Sequence, residues 1–129
     1  MDDDQSRTAI NAQPPVTVAV TGYMVSRLPD TSIDQETWGI RVEAAGHGRW
    51  AVRHHSQALG RDGSWDWEPS PSNRDTAWLS QHRWDSAEEA IAAALAVEPH
   101  IIVNNLSPED VRLRQIARDS GSSDPGGTP

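Results

Sequence analysis

Two runs of alternating apolar residues, separated by a glycine-rich break, constrain this chain more than any other feature. In TWGIRVEAAGHGRWAVRHHS, residues 37–56, Trp38, Ile40 and Val42 recur at every second position, and Trp50 and Val52 repeat the pattern. A period of two is that of a strand with one buried face, and the AAGHG between the runs supplies glycines for the positive φ angles of a hairpin loop. The stretch reads as a β-hairpin. A further turn, Gly60-Arg61-Asp62-Gly63, leads into SWDWE, where Trp65 and Trp67 continue the alternation on a third strand. Three strands in a meander suffice for a sheet with one apolar face.

That face needs a cover. SAEEAIAAAL supplies one: Ser86 is a helix N-cap with Glu89 at the capping-box spacing, Ile91 and Leu95 fall on one face, and alanines allow close approach to a sheet. Pro99 ends the helix. Downstream, HIIVNN is a candidate strand, and LSPEDV opens a second helix, with Ser107 as cap, Pro108 at its first position and Leu106 able to staple onto Val111. Val111 and Ile116 are its expected apolar contacts. Upstream, VTVAV places Val16, Val18 and Val20 on one strand face, and Gly22 to Ile33 reads as loop with a turn at Pro29-Asp30. The expected fold is α+β, a small, mostly antiparallel sheet of three to five strands packed on one or two helices. Its expected limits are 14–118, between a disordered acidic segment (1–13) and a disordered tail rich in Gly, Ser and Pro (119–129).

The chain has six tryptophans and no phenylalanine, so tryptophan must do the large-volume packing. Trp38, Trp50 and Trp65 are assigned to the core. Trp67 or Trp78, beside the proline-rich loop, is the candidate for an exposed ring. The opposite sheet face carries Arg41 and Glu43, then Arg49, Arg53 and His55, then Asp66 and Glu68, a pattern suited to cross-strand charge pairs.

Charge narrows the function. The net charge of −8 argues against binding DNA through general phosphate attraction, although residues 37–63 carry four Arg against Glu43 and Asp62 and are locally basic. All eleven basic residues are arginine, a bias expected of a GC-rich genome. Cysteine is absent, which rules out a disulfide framework or thiolate metal site. MDDDQSRTAINAQPP contains no apolar run, so neither a secretory signal nor a membrane anchor is expected, and a cytoplasmic location is.

Catalytic signatures are missing. There is no glycine-rich phosphate loop and no GxSxG elbow. His54 and His55, adjacent on a strand, should point to opposite faces and so not share a metal, while His47, His82 and His100 are scattered singly. Asp66 and Glu68 are read as ion-paired rather than catalytic. No catalytic residue, metal or cofactor is expected.

The run from Trp38 to Leu95, with W-x-[IV]-x-V, GRWAV and HRWDSAEEAIAAAL, resembles small sheet-plus-helix proteins of actinobacteria and their phages. It is also loosely similar to the AP2-like arm-binding domain of tyrosine integrases, three strands followed by a helix, a resemblance that implies DNA binding through the Arg-bearing sheet face. The reading drawn from the residues is a non-enzymatic module that binds and regulates or inhibits a protein partner, with Arg41, Arg49, Arg53, His55, Trp67 and Trp78 as partner-binding candidates. The alternative is an AP2-like nucleic-acid binder.

Overall fold

The alternation in residues 40–67 is realised as a meander. In the computed structural model, which describes residues 15–122, five strands follow one another across a single antiparallel sheet: β1 (Gly22–Val25), β2 (Ile40–Ala44), β3 (Trp50–His54), β4 (Gln57–Leu59) and β5 (Trp65–Trp67). Four α-helices accompany them: α1 (Gln35–Trp38), α2 (Thr76–His82), α3 (Ala87–Val97) and α4 (Pro108–Ser122). The α+β architecture is as expected. The β2–β3 loop turns through Gly46, His47 and Gly48, all at positive φ, and register places Val42 opposite Val52.

One sheet face is the core. Ile40, Val42 and Val52 are fully buried there with Leu59, and α3 lies across β1, β2 and β3. The helix is capped as expected, the Ser86 hydroxyl accepting from the Glu89 amide at 3.1 Å. Its fully buried residues are Ala90 and Ala94; Ile91 is partly buried and packs against the core as expected, but Leu95 is 60 % exposed. Methyl side chains let the helix approach the sheet closely. Leu28, Ile101 and Val111 close the core at its margins.

Several elements differ from expectation. Val16, Val18 and Val20 are in no strand, and the edge strand is GYMV instead. The Ala44 amide donates to the Thr21 carbonyl at 2.8 Å, and β2 ends at Ala44, so the ladder does not continue to residues before Thr21. HIIVNN forms no full strand: a 3-10 turn (Glu98–His100) is followed by a tight reversal in which Val103 and Leu106 exchange amide bonds of 3.0 Å. Asn104 and Asn105 take left-handed φ angles of 54° and 64° there, as a two-residue reversal requires. Trp38 ends a helical turn rather than beginning a strand; it is buried, and its Nε1–H donates to the Leu106 carbonyl at 3.0 Å.

The second helix begins as read, with Ser107 and Asp110 bonding each other's amides at 3.1 and 2.9 Å, but it runs through Ser122, four residues past the expected limit at 118. Ile116 is 48 % exposed, so Val111 alone of the expected pair is core. The 1–13 segment and the tail beyond 122 lie outside the described residues. Among those described, no helix is long and apolar enough to cross a membrane.

The other sheet face is covered at one end by the chain that follows β5. β4 turns away at Gly60, and Trp84 returns to take the vacated place beside β3, exchanging 2.8 Å backbone bonds with Trp50. The excursion between them carries α2, whose Asp75 cap accepts from the Trp78 amide at 2.8 Å. The Trp84 Nε1–H is buried without an acceptor among the described residues, and the Arg61 guanidinium lies 5.2 Å from its ring centroid.

Gly39 shows how closely the layers meet: a Cβ there would collide with the Gln35 carbonyl oxygen and Met24 Sδ. Gly22, in β1, has its nearest such neighbour at 3.6 Å. Gly39→Ala is therefore expected to destabilise the fold by about 1–3 kcal/mol, whereas Gly22→Ala leaves it unchanged within about 1 kcal/mol, as read from chemical denaturation of the two variants.

Candidate interaction surface around His55

His54 ends β3 and Gln57 begins β4 opposite it, so only His55 and Ser56 make the turn. His55 adopts a φ of 56°, a conformation that costs a residue with a Cβ on the order of 1 kcal/mol. It has therefore left the strand, and its ring does not point to the face opposite His54 as the sequence suggests. The two imidazoles stack, centroids 4.1 Å apart and planes 19° from parallel.

Beneath this stack His54 is fixed. Its Nε2 donates to the Thr37 carbonyl at 2.8 Å, and Trp65 meets its ring edge-on at 6.0 Å. Burial, with smaller contributions from neighbouring His55 and Arg41, pushes the His54 pKa below the ordinary imidazole value, despite the Thr37 bond acting the other way. Among the described residues no group of three or more His, Cys, Asp or Glu side chains is placed to hold a metal ion.

Two depressions meet at His55. One, of about 280 Å³, is lined by Glu36, Thr37, Gly39, Arg41, Arg53 and His55. The other, of about 490 Å³, includes His54, His55, Gln57, Trp67, Ile102 and Asn104. Trp67 is 72 % exposed and Ile102 60 %. Strand alternation puts Trp67 on the same side as Trp65, yet their environments differ: Trp65 packs against the core cluster, while Trp67 lies at the margin of that face. Of the six expected binding residues, Arg41, Arg53 and His55 thus line the first depression, and His55 and Trp67 the second.

The other two line neither. Arg49 is in the β2–β3 loop rather than on a strand and lines a separate depression with Arg61, Ser80, Arg83 and Asp85. Trp78 is a half-buried packing residue of α2; it stacks on His82 at 4.1 Å and lies under the Arg83 guanidinium at 5.2 Å. His82 in turn is buried, with Nδ1 bonded to the Trp78 carbonyl at 2.8 Å and Nε2 to Asp66 at 2.7 Å. Trp78 is thereby tied to the cover over the second sheet face. Ile102, absent from the expected set, was hidden in an apolar run read as a strand; the Asn-Asn pair was the available sign of a tight turn.

The arginines of this face are not equivalent. Glu68, its side chain 9 % exposed, accepts from Arg53 at 2.6 Å, Arg74 at 2.8 Å and Arg83 at 3.0 Å. Arg53 also reaches Glu43 at 3.2 Å. Among the described residues Arg41 pairs with Glu43 alone, at 3.9 Å, and its side chain is 48 % exposed. Arg41 is the cation on offer, whereas Arg53 is already committed. For Glu68, burial alone would raise the carboxyl pKa, but the Arg53 and Arg83 hydrogen bonds and charges outweigh it and hold the group below its ordinary range.

Comparison with protein-family models, with curated proteins and with solved structures finds no match for the chain. The functional reading rests on the surface itself.

A depressed folded pKa means that Glu68 contributes stability above about pH 4.3, its unfolded value, and that this contribution is lost as pH falls through the folded value. Glu68→Ala, which leaves three guanidinium groups without their shared anion, is expected to cost about 3–5 kcal/mol near neutral pH. Its thermal midpoint should fall less than that of the wild type between about pH 5 and pH 3, measured by circular dichroism. In a proton NMR titration the His54 ring should change charge below about pH 6.5.

Proposed function

We propose that this chain is a non-enzymatic protein-interaction module whose contact surface is centred on His55. The observation that carries the reading is Trp67: an indole 72 % exposed beside an Ile102 that is 60 % exposed, in a chain that packs Trp38, Trp50, Trp65 and Trp84 into or against its core. Exposed tryptophan and arginine are the side chains most enriched among the residues that dominate protein–protein affinity, because each combines large contact area with directional polar groups.

The surface reads two chemistries at once. Trp67 and Ile102 offer an apolar seat, and Arg41 offers a fork of donors suited to a carboxylate. His55 stands between them. A partner segment presenting an apolar side chain next to an acidic one fits both depressions. In this reading the module regulates or inhibits its partner, and the cysteine-free composition suits a reducing, cytoplasmic setting. Paired charges support a protein partner over nucleic acid, since Arg53, Arg74 and Arg83 share Glu68 and do not form an open basic face.

The test is capture of the native partner from host extract, followed by titration of that purified partner. Trp67→Ala and Arg41→Ala are each expected to weaken binding by roughly 30-fold or more, equivalent to about 2 kcal/mol, with thermal unfolding unchanged. His55→Gly, which relieves the backbone cost at a positive φ, should keep or raise stability while weakening binding. Salt-sensitive retention of the wild type on DNA at physiological ionic strength, lost in Arg41→Ala, would replace this reading with nucleic-acid binding.

A further inference from the structure

The segment before β1 conflicts with its own sequence. Val16-Thr17-Val18-Ala19-Val20 has the alternation and β-branched content of a strand, yet it belongs to no secondary-structure element. Its valines are bare: Val16 is 95 % exposed, Val18 97 % and Val20 60 %. It leads directly into β1, which is an edge of the sheet and pairs only with β2 among the described residues. No charged residue occurs anywhere from Thr8 to Ser26, so no charge guards this edge against pairing with another chain, and the prolines, Pro14 and Pro15, lie just before Val16 rather than within the segment.

The pattern also indicates what it pairs with. Read outward from Val18, the segment is nearly the same in both directions: Thr17 mirrors Ala19, and Val16 mirrors Val20. An antiparallel pair made by a two-fold axis at Val18 sets valine against valine at three positions and puts every valine on the same face. A heterologous partner would have to supply a matching strand, whereas a second copy of this chain already carries one. We infer that residues 16–20 are a homodimerisation strand, pairing antiparallel with the same residues of a second copy about Val18.

Five residues per copy make a small interface, so the dimer belongs to the weak, reversible class and should form at about 100 µM and above. Each copy carries a net charge of −8, so the bodies repel, and screening by added salt should strengthen the association, the reverse of an ion-paired interface.

Sedimentation velocity on the whole chain, from about 10 µM to about 1 mM, is expected to show a monomer–dimer equilibrium favoured by salt. Val18→Asp sets two like charges against each other at the axis and should remain monomeric with an unchanged thermal midpoint. Register is tested by single cysteines, which the cysteine-free chain reports cleanly. Under diamide, Val18→Cys should form a disulfide dimer, because directly opposed antiparallel residues lie about 4.5–5.5 Å apart, within disulfide reach. Val16→Cys alone should not, its mate being about 13 Å along the strand, but mixed with Val20→Cys it should. A wild type that stays monomeric throughout, equal cross-linking of Val16→Cys and Val18→Cys, association that survives in Val18→Asp, or protection of residues 16–20 only by a different protein would each overturn the inference.

Discussion

The convergence of Arg53, Arg74 and Arg83 on the Glu68 carboxylate organises one whole side of this molecule. Those cations come from β3, from the loop after β5 and from the residue that follows α2, so a single anion ties the excursion between Gly60 and Trp84 back onto the sheet. Desolvating four charged groups is costly, and their worth is positional as much as energetic. With Glu68 in place, α2 has one place to sit, His82 meets Asp66, and Trp78 is held as packing rather than presented as a ligand platform. The same convergence commits three arginines to one carboxylate and leaves Arg41, with a single long contact to Glu43, as the more exposed cation near His55. The electrostatic character of the candidate site is set by what Glu68 withholds from it.

What could be read from residue order is uneven, for physical reasons. The β2–β3 hairpin and the caps of α3 and α4 were legible because each depends on a local code: alternation, glycine at positive φ, a hydroxyl three residues before an acidic side chain. β1 was not, because VTVAV has the stronger strand pattern and GYMV lies beside it; only the end of β2 at Ala44 decides between them, and that is a tertiary fact. β4 is three residues long, too short to show a period. Ala90 and Ala94 are the fully buried residues of α3, with Ile91 beside them against the core and Leu95 outside it, a division that the helical spacing alone does not specify.

The candidate site divides along the same line. Trp67 as an exposed ring followed from its position next to a proline-rich loop, and the outward alternation of Arg41 and Arg53 followed from strand period. Glu68 as a shared anion did not, since Arg74 and Arg83 carry no periodic relation to it. The stacking of His54 and His55 was also hidden, because a histidine at positive φ defeats the rule that neighbours on a strand point apart. Trp78 misled for a related reason: proximity to a loop says nothing about a helix folding back over the sheet.

Strand order that follows chain order has a kinetic meaning. Every ladder in this sheet joins neighbours in sequence, through short turns except for the connection from β1 to β2 that carries α1, and such topologies lie toward the fast end of folding rates for sheet proteins. Among the contacts that must wait are those of longest span: Gln115 reaching Ser32 across 83 residues, Arg27 reaching Glu109 across 82 and Glu98 across 71, and the Trp38 indole reaching the Leu106 carbonyl across 68. These join the first part of the chain to the last. The hairpins of the meander therefore close locally, whereas the bonds that tie the first part of the chain to the last wait for the C-terminal segment to be in place.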